Sequence, residues 1–290
     1  MRPGRNRWVL GARPRTLPAA IAPVLVGTAV AASEGPLRPW RAVAALVVAL
    51  ALQVGVNYAN DYQDGTRGTD RERVGPTRLV ASGLAAPAQV RAAAVLSFAL
   101  AAAAGAALAI AVQPWLLLVG AASIGAAWAY TGGPRPYGYR GWGEIFVFVF
   151  FGVVATTGSA YVQEGHVSGL ALGSSVPLGL LAAALLAVNN LRDRPRDAVA
   201  GKHTLAVRLG DQGARRFYVA LVSAALLCPV LIASARPRAL IALAVVPLAV
   251  RPVRRVLSGA EGLALVAALG DTARLQLLFA GTLALGVWPR

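Results

Sequence analysis

Ala42-Val43-Ala44-Ala45-Leu46-Val47-Val48-Ala49-Leu50-Ala51-Leu52-Gln53-Val54-Gly55-Val56-Asn57-Tyr58-Ala59-Asn60-Asp61-Tyr62-Gln63-Asp64 makes two statements in one segment. Through Val56 it carries no charge, and Gln53 is its one polar side chain. A run this apolar offers water no polar face at helical spacing, and a helix of about 20 residues crosses a hydrocarbon core of about 30 Å. From Asn57 onward the character changes. Asn57, Asn60, Asp61 and Asp64 fall at i, i+3, i+4 and i+7, one stripe of a helix. The segment reads as a membrane-crossing helix that ends in a polar site.

The rest of the chain repeats the apolar half of that reading. Of its 290 residues 57% are apolar and 14% charged, against about 25% charged in an ordinary soluble domain. Runs long enough to span recur along the sequence. They predict an all-α, polytopic membrane protein of about nine transmembrane helices, at roughly 16–33, 41–60, 86–110, 114–132, 143–163, 170–190, 213–234, 238–252 and 272–288. Residues 1–290 are read as a single domain.

The net charge of +16 follows from topology and excludes a nucleic-acid reading. Of the 28 basic residues, all but Arg38, Arg41, Arg236, Arg238 and Arg290 fall on one side of these spans. That side holds the amino terminus, the loops 61–85, 133–142, 191–212 and 253–271, and the nearby helix ends. The positive-inside rule makes it cytoplasmic in a cell membrane, and anionic lipid on that leaflet reinforces the bias. The basic amino terminus and the apolar run after it resemble a secretory signal. The length of the run, with Pro18 and Pro23 inside it, favours a retained first span.

Ten of the 12 acidic residues lie on the same side or at its helix ends. A second cluster, Asn189-Asn190-Leu191-Arg192-Asp193-Arg194-Pro195-Arg196-Asp197, ends the sixth span as the first ends the second. An even number of spans separates them, so both emerge on one face. Asn189, Asp193 and Asp197 repeat the helical register, although Pro195 removes a backbone donor and places Asp193 and Asp197 on a turn. Oxygen side chains at a membrane boundary are costly unless something binds them. Hard oxygen donors suit Mg²⁺, which takes one or two carboxylates and completes its shell with water and substrate phosphate. Simple ion pairing in a solvated loop accounts for Glu72. It does not account for asparagines recurring in register in both clusters.

The interleaved Arg67, Arg78, Arg140, Arg192 and Lys202 point to an anionic ligand beside the metal. Lys202 is the one lysine in the chain, and a compact ammonium suits phosphate as a point charge. The loop Gly132-Gly133-Pro134-Arg135-Pro136-Tyr137-Gly138-Tyr139-Arg140-Gly141 reads equally as part of a binding roof or as an interfacial aromatic anchor. Cys228 is alone in an apolar span, and His166 and His203 stand far apart in sequence with no second ligand evident, so no histidine metal site is expected.

These residues resemble the UbiA superfamily of intramembrane prenyltransferases. The likeness rests on Asn57-x-x-Asn60-Asp61-x-x-Asp64 and Asn189-x-x-x-Asp193-x-x-x-Asp197. Ala12–Pro18, Arg67-Gly68-Thr69-Asp70, Tyr137–Gly141 and Gly201–Gly210 are similar to the branch that prenylates 1,4-dihydroxy-2-naphthoate. The resemblance covers residue 12 to about 210. It implies a helical bundle around a cavity under a cytoplasmic cap, with Mg²⁺ as cofactor and a polyprenyl diphosphate and an aromatic acid as partners in the bilayer. It implies transfer of the polyprenyl group to dihydroxynaphthoate with loss of CO₂ and diphosphate. Asp61, Asp64, Asp193 and Asp197 are then the expected metal ligands, with Lys202 and Arg67 on the diphosphate. Asn57, Asn60, Tyr137, Tyr139, Arg140, Asn189 and Arg192 are the expected substrate contacts. Gly68 stands where many members carry a third aspartate, and Asp70 is the expected substitute for it. Arg15 and Arg140 are the expected partners of the acceptor carboxylate. Rival readings are a UbiA-type enzyme with a 4-hydroxybenzoate-like or sugar-phosphate acceptor and, in another class, an ion-coupled transporter. A CDP-alcohol phosphatidyltransferase is excluded, because its further aspartate pair must lie within a couple of helical turns.

Overall fold

The structure, a computed structural model, describes residues 6–68 and 77–289. Asp70 and Glu72 lie outside the described residues. The described chain is helical. A short α1 (Arg7–Ala12) and a 3-10 turn (Pro14–Thr16) lead into α2 (Pro18–Glu34) and α3 (Pro39–Arg67). α4 (Pro87–Ala111) and α5 (Leu116–Ala129) follow. α6 (Gly143–Val147) runs through a π-helical stretch (Phe148–Val154) into α7 (Ala155–Glu164). α8 (Gly169–Val199), α9 (Leu205–Ile232), a 3-10 segment (Pro237–Val245), α10 (Val246–Leu257) and α11 (Gly262–Val287) complete it.

Each expected span coincides with a helical segment, but the count of nine is not met by length and composition. Among the described residues six helices are long and apolar enough to cross, or seven if α1 with its 3-10 turn and α2, bent by 53°, form one broken span. α5 has 14 residues, about 21 Å of rise. The segment ending in α10 is interrupted by 3-10 geometry. The chain is a multi-pass membrane protein, and its outer surface agrees. Ile110 is 84% exposed, Leu231 77% and Leu118 74%, an apolar exterior that a water-soluble chain does not tolerate over many helices.

Inside, small residues set the spacing, as between helices in lipid. One core joins α2, α8, α9 and α11 around Leu178, Leu181, Tyr218, Leu275 and Phe279, all fully buried. A second joins α3 and α4 around Leu79, Val90 and Phe98. Where the π-helical stretch crosses α8, a Cβ on Gly152 would lie 2.4 Å from the Gly179 Cα. The two backbones therefore touch. π-helical turns recur beside functional sites, and here Phe150 and Phe151 from that turn line the central cavity.

Candidate active site

α3 continues unbroken through the first polar cluster to Arg67 and stops at Gly68, whose φ of 73° closes the helix in the left-handed region. Asn57 Nδ2 donates to the Ala12 carbonyl at 2.9 Å and the Thr16 hydroxyl at 3.0 Å, tying the chain's entry to α3. Asn60 Oδ1 accepts from the Thr131 hydroxyl at 2.7 Å, which also contacts Gln63. Asp64 is the meeting point. One oxygen accepts from Tyr139 Oη at 2.5 Å and Lys202 Nζ at 3.0 Å, and Arg78 lies 3.8 Å from the other.

α8 carries the second cluster. It runs through Pro195 to Val199, so Asp193 and Asp197 are helical and not on a turn as expected. Proline removes one hydrogen bond near the end of a helix of 31 residues, and the break does not occur. The Arg192 guanidinium binds Asp193 in a fork, at 2.8 and 2.7 Å, and donates to Asn189 Oδ1 at 2.9 Å. Its side chain is buried and does not line the cavity, so it orients Asp193 and Asn189 from behind.

The cap is stitched from loops. Lys202 N donates to the Asp197 carbonyl and His203 N to the Tyr139 carbonyl, each at 2.8 Å. Lys202 Nζ lies 4.3 Å from the centre of the Tyr139 ring, a cation–π contact. Burial disfavours the Lys202 ammonium, but the charges of Asp64, Tyr139 and Asp197 favour it, and its pKa ends above the ordinary lysine value. Burial and then the Asp64 charge push the Tyr139 phenol up, so it remains a donor. Tyr137 donates to the Ala126 carbonyl at 2.9 Å and stacks on Phe146 with ring centres 4.0 Å apart. Both tyrosines line the cavity, so this loop forms part of its roof.

One cavity of about 370 Å³ lies beneath the cap. Its mouth gathers Asn57, Asn60, Asp64, Asn189, Asp193, Asp197 and Lys202 from both halves of the chain. Deeper, its wall is apolar, with Val48, Leu108, Val119, Phe150 and Val154.

Besides Arg192, four expected site residues stand outside the cavity lining: Asp61, Arg67, Arg140 and Arg15. Asp61 is fully buried, accepts from the Leu79 and Val80 amides at 2.8 and 3.1 Å, and does not line the cavity. On a helix of 3.6 residues per turn it sits about 100° from Asn60, at the far edge of the stripe, where it holds the returning loop. Arg67 donates to the Thr131 carbonyl and, at 2.8 Å, to that of Gly133, and lies over the Tyr139 ring. It braces the cap and does not reach the cavity. Arg140 is exposed on the outer side of its 3-10 turn, where the following Gly141 turns the chain away. Arg15 also lies outside the lining, whereas Arg13, two residues earlier, is within it. Arg13 stands in the left-handed region at φ 51°, ψ 71°, a conformation costing a non-glycine residue roughly 1–3 kcal/mol. Its guanidinium reaches the Asn57 carbonyl at 3.5 Å. Sequence reasoning also missed Thr131 and the buried pair of Glu144 and Asn190, joined at 2.9 Å. No spacing announces either, because their partners come from distant helices.

The chain belongs to the UbiA prenyltransferase family, whose pattern it matches over residues 20–262. It is 50% identical to the 1,4-dihydroxy-2-naphthoate octaprenyltransferase of Mycobacterium tuberculosis, over 97% of each chain. It is 40% identical to the Escherichia coli enzyme of that name, over 76% of this chain and 74% of the other. The fold matches a UbiA homologue from Archaeoglobus fulgidus solved with DMAPP and Mg²⁺, with a TM-score of 0.64 at 16% identity, over 96% of this chain and 99% of that one.

Proposed function

We propose that this protein transfers a polyprenyl group from polyprenyl diphosphate to 1,4-dihydroxy-2-naphthoate, with loss of diphosphate and CO₂. The carrying observation is the cavity. Carboxylates from the ends of α3 and α8 and the ammonium of Lys202 meet at its polar mouth, and an apolar tunnel leads away. The naphthoate-prenylating relatives, half identical over nearly the whole chain, support the choice of acceptor.

The donor set fits magnesium. Asp64, Asp193 and Asp197 bring hard oxygens to one chamber, with the amides of Asn57, Asn60 and Asn189 beside them, in keeping with the preference of Mg²⁺ for few carboxylates plus phosphate and water. These three aspartates would hold it, and bound there it supplies charge neutralisation for the departing diphosphate. Lys202 and Arg78 add fixed positive charge at the same mouth. The apolar wall sheathes the prenyl chain and keeps water from the allylic carbon as its bond to oxygen weakens. Arg13, at the cavity edge, is the cation placed to pair with the acceptor carboxylate, and Tyr137 and Tyr139 offer rings to a bicyclic acceptor. Residues 1–290 act as one catalytic unit, with the cap facing the cytoplasm as the arginine asymmetry implies.

The test is direct. Purified protein with Mg²⁺, a polyprenyl diphosphate and dihydroxynaphthoate should release diphosphate and yield a decarboxylated prenylated naphthoquinol by mass spectrometry. Equal turnover of 4-hydroxybenzoate would reduce the reading to a generic aromatic prenyltransferase.

A further inference from the structure

Among the described residues two acidic side chains, Glu34 and Glu164, lie away from the diphosphate end, and they meet each other. Glu34 ends α2 and Glu164 ends α7. Gly165, at φ 79°, turns the chain so that His166 comes back over them. One ligand atom from each of the three lies within 4.8 Å of the other two, and His166 Nε2 stands 3.8 Å from Glu164 Oε2.

Glu164 is the telling member. Its side chain is 5% exposed, and its carboxylate oxygens accept from no donor outside the cluster; the groups it faces are the Glu34 carboxyl and the His166 imidazole. A buried carboxylate with no donor is costly to keep. Two cations of this end are engaged elsewhere: Arg41 donates to the Val162 and Ala111 carbonyls at 2.9 and 3.1 Å, and Arg236 reaches Ser33. Gln163, next in sequence, accepts from the Arg38 amide at 2.8 Å. These three groups are thus occupied, and the carboxylate points at a second carboxylate and an imidazole.

We infer that Glu34, Glu164 and His166 form a divalent-cation site of the zinc class, at the end of the bundle opposite Asp64. Imidazole nitrogen and carboxylate oxygen bind Zn²⁺ at about 2.0–2.2 Å, which sets tetrahedral donors about 3.3–3.6 Å apart. Closing from the present spread needs side-chain rotation of Glu34 and His166, both exposed. The ion neutralises Glu164 and clamps the exit of α2 to that of α7. These helices already touch lower down, where a Cβ on Gly27 would lie 2.2 Å from the Thr156 carbonyl oxygen.

The experiment titrates Zn²⁺ into the full-length protein in detergent by calorimetry, with saturating Mg²⁺ present to occupy the aspartate site. The wild type should bind one Zn²⁺ that His166→Ala and Glu34→Gln each bind at least tenfold more weakly. Zn²⁺ should raise the melting temperature of the wild type only. Both variants alter exposed side chains, so their fold and prenyl transfer should be unchanged. Wild-type affinity and stoichiometry in both variants overturns the site. So does a wild type that binds no Zn²⁺, a result that leaves a shared proton to neutralise the two carboxylates.

Discussion

Lys202 Nζ lies 3.0 Å from Asp64 Oδ1, joining residues 138 positions apart in the chain. This pair fastens the loop after α8 to the end of α3, and so one half of the bundle to the other. The Asp64 carboxylate is shared with an ammonium and a phenol, so a metal held by Asp64 would compete with Lys202 and leave the ammonium to the diphosphate. Asp64→Asn and Asp193→Asn keep side-chain size and remove the charge, and turnover should fall more than a hundredfold, about 2.7 kcal/mol or more of barrier. Retention of over a tenth of the wild-type rate by either variant, with the fold intact, removes that residue from the metal set.

Asp61 should behave differently from Asp64, although sequence treats them alike. Its carboxylate holds two backbone amides, and hydrogen bonds to a charged group contribute about 1.5–3 kcal/mol each. Asp61→Asn should lower the denaturation midpoint while leaving the Mg²⁺ concentration for half-maximal activity unchanged. A large rise in that concentration at undiminished stability would return Asp61 to the metal.

Arg13 and Arg140 divide the acceptor question. Arg13→Ala should raise KM for dihydroxynaphthoate at least tenfold and that for the prenyl diphosphate far less. Arg140→Ala, on the outer surface, should change either by under twofold. Initial-rate kinetics with each substrate varied in turn separates them, and reversed effects would place the carboxylate under the outer loop.

The Lys202 pKa gives a pH prediction with a definite sign. A folded-state pKa raised above the unfolded value contributes stability that is complete below the ordinary lysine range and is lost as pH rises through the folded value. Thermal stability should therefore show no lysine-dependent fall between pH 7 and about 10. The decline above that should be shallower in Lys202→Met. An equally steep decline in the variant assigns the alkaline loss to other groups.

Topology is open to labelling. With Cys228 replaced, cysteines at Ala200 and Val167, both exposed, should react with an impermeant reagent from opposite faces, Val167 from outside. Reaction of both from one face overturns the arrangement of α8.

Much of this was legible in the sequence because lipid simplifies the problem. Apolar run length marks a crossing helix, and the register of Asn57 to Asp64 and of Asn189 to Asp197 marks which side chains share a face. That two clusters an even number of spans apart meet follows from topology alone. What did not follow was direction around the helix axis. A stripe about 100° wide does not say which edge faces the cavity, so Asp61 and Asp64 were indistinguishable. Arg67 and Arg140 were legible as cations but not as cap braces or surface charges, since a flexible side chain takes its direction from tertiary neighbours. Pro195 suggested a break that the length of α8 absorbs. Glu34 and His166 are separated by over a hundred residues, and only the parallel packing of α7 beside α2, with their C-terminal ends together, unites them.

The contact of Gly152 with Gly179 bears on how this enzyme can change over evolution. Main chain rests on main chain there, so the spacing of these two wall helices at that level is set by peptide atoms and not by side-chain volume. A bulkier residue at either glycine would force the helices apart and disturb every position along them at once. The rings of Phe150 and Phe151 can be exchanged one at a time on an unmoved frame. Adaptation to longer or shorter prenyl donors is therefore open at the aromatic wall and closed at the glycine crossing.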